Sequence, residues 1–270
     1  MRRELSILCI VLAILGVSCS SSHNKLLKSN DQDAKFEAAM KAYERKDYFH
    51  ANQLFENLLL YSRGRETAEK VNFYYGMSLM GSKDYYSAGY QFESFVKWFP
   101  YSKLAEEALF QAAYCKYLES PEYSLDQTLT KQAINNFQAY IDKYPKSERV
   151  PHANKLMDEL RQKLIKKDYV NAYNYYKTSA YQAAQTSLKN FLNDYPDATE
   201  YREEAMYYIV LAGYEYAEKS IESKQKERYQ NVVMDCERYN AIFNTMQDKA
   251  KKQKIEAIYK TAKEKLETIK

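Results

Sequence analysis

The sequence predicts an all-α chain, an α-solenoid of about five helix hairpins stacked in series and closed by one further C-terminal helix. Three observations predict it. Of 270 residues only 6 are Gly and 5 are Pro, against roughly 7% and 5% in an average protein, too few for a fold made of many tight turns. Aromatic residues reach 15%, with 28 Tyr, 11 Phe and 1 Trp, and 46% of the chain is hydrophobic, enough to bury a core. A small-residue and aromatic pattern also recurs along the chain at intervals of a few tens of residues, the signature of stacked modules.

Residues 1–18 form the first element, a signal peptide. Met1-Arg2-Arg3 is basic and Leu5 to Val17 is almost wholly apolar. A run of about 14 residues is too short for a ~30 Å hydrocarbon core, which takes ~20. Leu15-Gly16-Val17-Ser18-Cys19 then resembles a bacterial lipobox, in which the cysteine takes a diacylglyceryl group and becomes the new N-terminus. Leu15 sits one place early and Gly16 holds the usual leucine position, so ordinary secretory cleavage with an incidental Cys19 is the alternative. Acyl chains at Cys19 would tie the chain to a membrane. Residues 19–32 read as a polar, mobile tether, with Ser20-Ser21-Ser22-His23 at its start.

Residues 33–246 carry the repeats. Ala-x3-Phe, with an aromatic three residues earlier and a proline twelve later, appears as Tyr85, Ala88, Phe92, Pro100, as Ala133, Phe137, Pro145, and as Tyr181, Ala184, Leu188, Pro196. An earlier copy is Tyr48, Ala51, Phe55, with Arg63 in the proline's place. A fainter last one is Tyr229, Val232, Cys236. The small residue lets two helices approach, and the aromatic one turn later fills the gap between neighbouring hairpins. Proline ends each second helix, and Ser102, Ser147 and Thr199 are suited to N-cap the next. Such units are similar to tetratricopeptide repeats, although the Ala-to-Ala steps of 37, 45, 51 and 48 exceed that family's 34. The surplus is expected in the loop at 120–124 and in an extended helix from Val150 to Lys177. Residues 247–270 form a basic tail whose Ile255, Ile258, Ala262, Leu266 and Ile269 recur at helical spacing; it is either a solvated helix packed along one face or a site for an anionic partner.

Candidate binding residues follow from register. Phe36 and Phe73, Met40 and Met77, and Tyr43 and Met80 are each 37 apart, with Tyr74 beside them. Such residues on the first helices would line a groove suited to extended segments bearing aromatic side chains, or else they are core. Ala39 and Gly76 face the partner helix instead. For catalysis nothing stands out. His23 lies in the tether, and His50 and His152 stand alone. Glu106-Glu107 and Glu203-Glu204 read as solvated helix surface. No phosphate loop, nucleophile elbow or metal-ligand spacing occurs. No enzyme, cofactor or metal is expected, and a net charge of +4 is too small to imply nucleic acid. Cys115 and Cys236 fall on apolar registers and read as buried free thiols.

Signal, lipobox and degenerate repeats combine with Phe-Pro-Tyr-Ser (99–102), Tyr-Pro-Lys-Ser (144–147) and the stretch Tyr175-Tyr176-Lys177-Thr178-Ser179-Ala180-Tyr181-Gln182-Ala183-Ala184. The combination resembles the BamD family of the outer-membrane β-barrel assembly machinery, whose corresponding segment reads Tyr-Tyr…Gly-Ala-Tyr-x-Ala-Ala. The resemblance implies a lipid-anchored scaffold on the periplasmic face of the outer membrane. Its C-terminal half would dock the POTRA domains of a BamA-like barrel protein, and its N-terminal groove would receive signals of unfolded outer-membrane proteins. Ser187 stands in the helix expected to face the partner, where a cation would be needed, so Lys189 and Arg202 are the candidate partner-binding residues. A secretin pilot or a cell-wall coordinator is the alternative.

Overall fold

The computed structural model describes residues 23–62, 64, 66–243 and 248–269. Cys19, the signal peptide and Arg63 lie outside them. Among the described residues every regular element is helical. A short helix α1 spans 23–28. Then come α2 (Gln32–Glu44), α3 (Tyr48–Leu59), α4 (Ala68–Gly81), α5 (Tyr85–Trp98), α6 (Ala105–Glu119), α7 (Thr128–Lys143) and α8 (Val150–Lys177). The rest are α9 (Tyr181–Asp194), α10 (Thr199–Glu218), α11 (Glu222–Phe243) and α12 (Lys249–Thr268). Two compact units divide the chain, one ending at Leu160 and the other starting at Arg161.

In the first unit α2 packs on α3, α4 on α5 and α6 on α7, and each hairpin packs on the next through α3–α4 and α5–α6. The repeat pattern is the core. Ala51, Phe55, Ala88, Phe92, Ala133 and Phe137 are all fully buried. Gly76 of α4 lies under the Phe92 ring, so that an added Cβ would stand 2.8 Å from it. The early turns of α8 close this unit with Ala153, Leu156, Met157 and Leu160. In the second unit later α8 residues such as Tyr169 and Ala172 pack with α9 and α10. Ala184, Leu188, Val232 and Cys236 repeat the buried positions.

Turn chemistry shows why the helices end where they do. Phe99, Tyr144 and Tyr195, each before a proline, share φ of −125°, −127° and −126° with ψ of 57°, 60° and 65°, outside the helical region that proline disfavours in its predecessor. Each ring rests on the ring four residues earlier, Phe95, Tyr140 and Phe191, at 5.2, 5.8 and 5.4 Å. Helices α2, α4 and α8 instead end on left-handed residues, Lys46, Lys83 and Ser179, with φ of 59°, 65° and 61°. Asp47, Asp84 and Ala180 then donate their backbone N–H back to Ala42, Leu79 and Tyr175, the six-to-one bond of a Schellman stop.

The structure corrects several expectations. The described part of the tether is not loose: α1 is helical, its Leu26 and Leu27 pack against the α2–α3 core, and His23 donates to Gln53 at 2.8 Å. A single adjacent pair of leucines in an otherwise polar stretch hid that contact. Ser102 and Ser147 are not N-caps. Their hydroxyls accept from the N–H of Leu104 and Arg149 and donate to Glu69 and Glu106 on preceding first helices. Thr199 is the first residue of α10, whose N-cap Ala198 makes no side-chain bond. Nor are the paired glutamates idle surface. Glu107 pairs with Arg149, Glu203 accepts from Tyr239 at 3.0 Å, and Glu204 pairs with Lys251. The tail helix α12 buries Ile255, Ile258 and Ala262 against α10 and α11, which is the packed-helix reading. Cys115 and Cys236 are free and buried, and burial pushes both thiols up to about 12.

Candidate functional site

Two sets of residues form candidate sites, one in each unit. In the first unit the expected groove residues keep their register on α2 and α4. Phe36, Met40, Tyr43 and Tyr74 pack half-buried on the α2–α3 core, and Met77 and Met80 do so on the next. Tyr43 meets Tyr74 edge-on at 5.4 Å, and burial raises its hydroxyl pKa. Phe73 departs from its set. It is only 6% exposed and edges against Phe92 and Phe95 at 5.9 and 5.8 Å, which makes it core. The three half-buried sulfurs of Met40, Met77 and Met80 and the three rings of Phe36, Tyr43 and Tyr74 remain as the groove candidates.

Register also exposes a third row that sequence reading missed. Phe110, Tyr114 and Tyr117 of α6 stand 37 residues after Phe73, Met77 and Met80. Phe110 is buried, as Phe73 is, while Tyr114 and Tyr117 are half-buried and stack on each other at 5.7 Å with planes 9° apart. Tyr117 donates to Glu159 at 2.6 Å, and that bond, with burial, lifts its pKa to about 12. The signal was available: the 37-residue step from α2 to α4 simply continues. An apolar cleft of about 600 Å³ lined by Leu60, Ser62, Asn72, Trp98 and Phe99 opens elsewhere on the same unit.

In the second unit Lys189 and Arg202 do come together, in a cleft of about 270 Å³ that also holds Asn193, Asp235 and Arg238. Lys189 of α9 reaches Asp235 of α11 at 2.9 Å, and Gln185 donates to the same carboxylate at 3.4 Å. Arg202 of α10 donates to the Pro196 carbonyl at 2.8 Å, fastening the proline turn. Both cations therefore hold structure while lining the cleft. Arg238, one turn beyond Asp235, was not legible beforehand because only the packing of α9 and α11 on α10 brings it into the cleft with Lys189. With three cations against one carboxylate, the cleft favours an anionic side chain.

The histidines regroup as well. His23 and His50 lie with ring centroids 4.3 Å apart, and His50 donates to Asp47 at 2.8 Å. His152 rests near Phe110 at 5.5 Å. No described helix is long and apolar enough to cross a membrane.

A solved structure, the tetratricopeptide repeat domain of P58(IPK), aligns at 12% identity over 91% of this chain and 68% of that one, with a TM-score of 0.42. No curated protein matches the sequence. Residues 28–229 match the family described as YfiO, outer membrane lipoprotein. They contain the three aromatic rows and both Lys189 and Arg202, and the chain belongs to that outer membrane lipoprotein family, the BamD family.

Proposed function

We propose that this protein is a non-enzymatic scaffold for assembling β-barrels in the outer membrane. Lipid on Cys19 holds it at the periplasmic face. The cationic cleft of Lys189, Arg202 and Arg238 receives an acidic side chain of a POTRA-bearing, BamA-like barrel subunit. The rows on α2, α4 and α6 receive aromatic-rich segments of unfolded outer-membrane proteins, because adaptable thioethers and ring faces tolerate varied sequences. The family match across residues 28–229 is the observation that carries this reading.

Detergent extraction followed by affinity purification and mass spectrometry tests it. A POTRA-containing barrel protein is the expected companion, and its loss with Arg202→Glu plus Arg238→Glu ties it to the cleft. Recovery of a secretin or a peptidoglycan enzyme in its place would favour the pilot or cell-wall reading. Within the groove, Met77→Ala with Tyr114→Ala is expected to weaken binding of C-terminal barrel peptides about tenfold, of the order found when interface anchors are truncated, with helicity unchanged. Phe73 is left intact in that test because its removal would empty the core.

A further inference from the structure

The turn end of the α2–α3 hairpin carries a second cleft that the scaffold reading does not use. It encloses about 280 Å³ and is lined by His23, Lys41, Arg45, Asp47 and His50 over a floor that includes Leu26 and Leu54. Lys41 and Arg45 lie one turn apart at the end of α2 and are exposed. Asp47 is already engaged, accepting from the His50 ring at 2.8 Å and from the His50 backbone N–H at 3.4 Å. Exposed charge along α2 is largely segregated: Asp31, Asp33 and Glu37 stand toward its start, where Lys35 is buried and donates to Asn57, and Lys41, Arg45 and Lys46 stand toward its end, with Glu44 the acidic exception. Cations suit a helix C-terminus on dipole grounds alone. That argument does not account for Phe49, which stands 68% exposed beside this cleft, its ring 5.3 Å from His50.

Chain length ties this edge to the position of Cys19. His23 is docked on the hairpin through Gln53, and Leu26 and Leu27 are packed. Between Cys19 and His23 there are four residue steps, at most about 14 Å when fully extended. If Cys19 is acylated, as the proposed function holds, this cleft cannot lie far from the headgroups in which the acyl chains are seated. Exposed cations that make no ion pair among the described residues, beside an exposed aromatic ring at that depth, form an interfacial surface: the cations meet lipid phosphates and the ring enters the acyl boundary. We infer that the Lys41–Arg45 cleft, with Phe49 beside it, docks on anionic phospholipid headgroups of the leaflet that holds the anchor, fixing the orientation of the first hairpin on the membrane.

Two experiments test this separately from the acylation it builds on. The mature chain, made without acylation, is sedimented with vesicles of phosphatidylethanolamine and phosphatidylglycerol, then with vesicles of phosphatidylcholine. Salt-sensitive binding to the anionic vesicles alone is expected, weakened more than about tenfold by Lys41→Glu with Arg45→Glu and to a smaller extent by Phe49→Ser. Equal binding to neutral vesicles, or binding indifferent to the double reversal, would overturn the inference. So would full displacement by inorganic phosphate, which would mark a free-anion site. The acylated protein is then reconstituted in the same two vesicle types and followed by amide hydrogen exchange. Slower exchange over residues 38–54 on the anionic vesicles only is expected. Intact mass reports acylation independently: an unmodified Cys19 with persistent anionic-vesicle binding would sink the anchor while leaving the headgroup surface standing.

Discussion

Gly76 and Lys83 show how differently two backbone positions constrain this fold. A methyl at 76 meets the rim of a ring with no exposed surface into which it can retreat. Gly76→Ala should therefore cost about 1–3 kcal/mol through overpacking, read as a lowered urea midpoint. Combining it with Phe92→Leu should recover part of that loss, since the two changes share one space. Lys83 is the opposite case. Its φ of 65° costs an L-residue about 1–2 kcal/mol, so Lys83→Gly should raise stability by several tenths to about 1 kcal/mol in the same assay, and Ser179→Gly likewise. The first constraint was legible, because small residues at a close helix approach leave a pattern. The second was not: a stop that ordinarily advertises itself with glycine is here built from lysine and serine, and only the backbone angles reveal it.

Helices communicate through short polar latches placed at the proline turns. Ser147 donates to Glu106 and shares a hydrogen bond with the Tyr140 hydroxyl at 2.7 Å, joining the end of one hairpin to the first helix of its own pair. Ser147→Ala should destabilise by about 1–2 kcal/mol, with Ser147→Thr losing less, measured by chemical denaturation. Prolines at regular spacing announced the turns, whereas the glutamates that complete them looked like ordinary surface, since a carboxylate's partner forty residues away has no local signature. Helix α12 gives a sharper readout. Ile255 and Ile258 cover α11, and the Cys236 thiol points toward the Ile255 carbonyl at 4.0 Å. Ile258→Ala should cost about 2–4 kcal/mol and speed modification of Cys236 by a thiol reagent while leaving Cys115 slow.

Across the whole chain the tyrosines set the alkaline limit. Burial lifts Tyr75 to about 12, burial with the Asp168 hydrogen bond does the same for Tyr195, and Tyr169, Tyr229 and Tyr239 are raised further, with burial the largest cause. An unfolded tyrosine ionises near 10, so below pH ~10 both states keep their tyrosine protons and the tyrosines leave stability unchanged. Above it the unfolded chain releases protons that the fold retains, and stability falls as pH climbs toward 12. Tyrosinate absorbance and loss of helicity should consequently rise together in one steep step. At this scale the hairpin series, the long α8 and the shared register of α2 and α4 were readable from spacing alone. The cationic cleft and the docked α1 were not, because they depend on which side chains meet after stacking. The two enclosed cysteines carry one more implication. An outer membrane lipoprotein matures where disulfides form readily, and while the exported polypeptide is still unstructured both sulfhydryls are open to oxidants. Each ends up sealed in a different hydrophobic cluster, so a cross-link between them would block completion of either. Export is thus a race, and rapid hairpin formation is what protects this sequence from being trapped by its own sulfur chemistry.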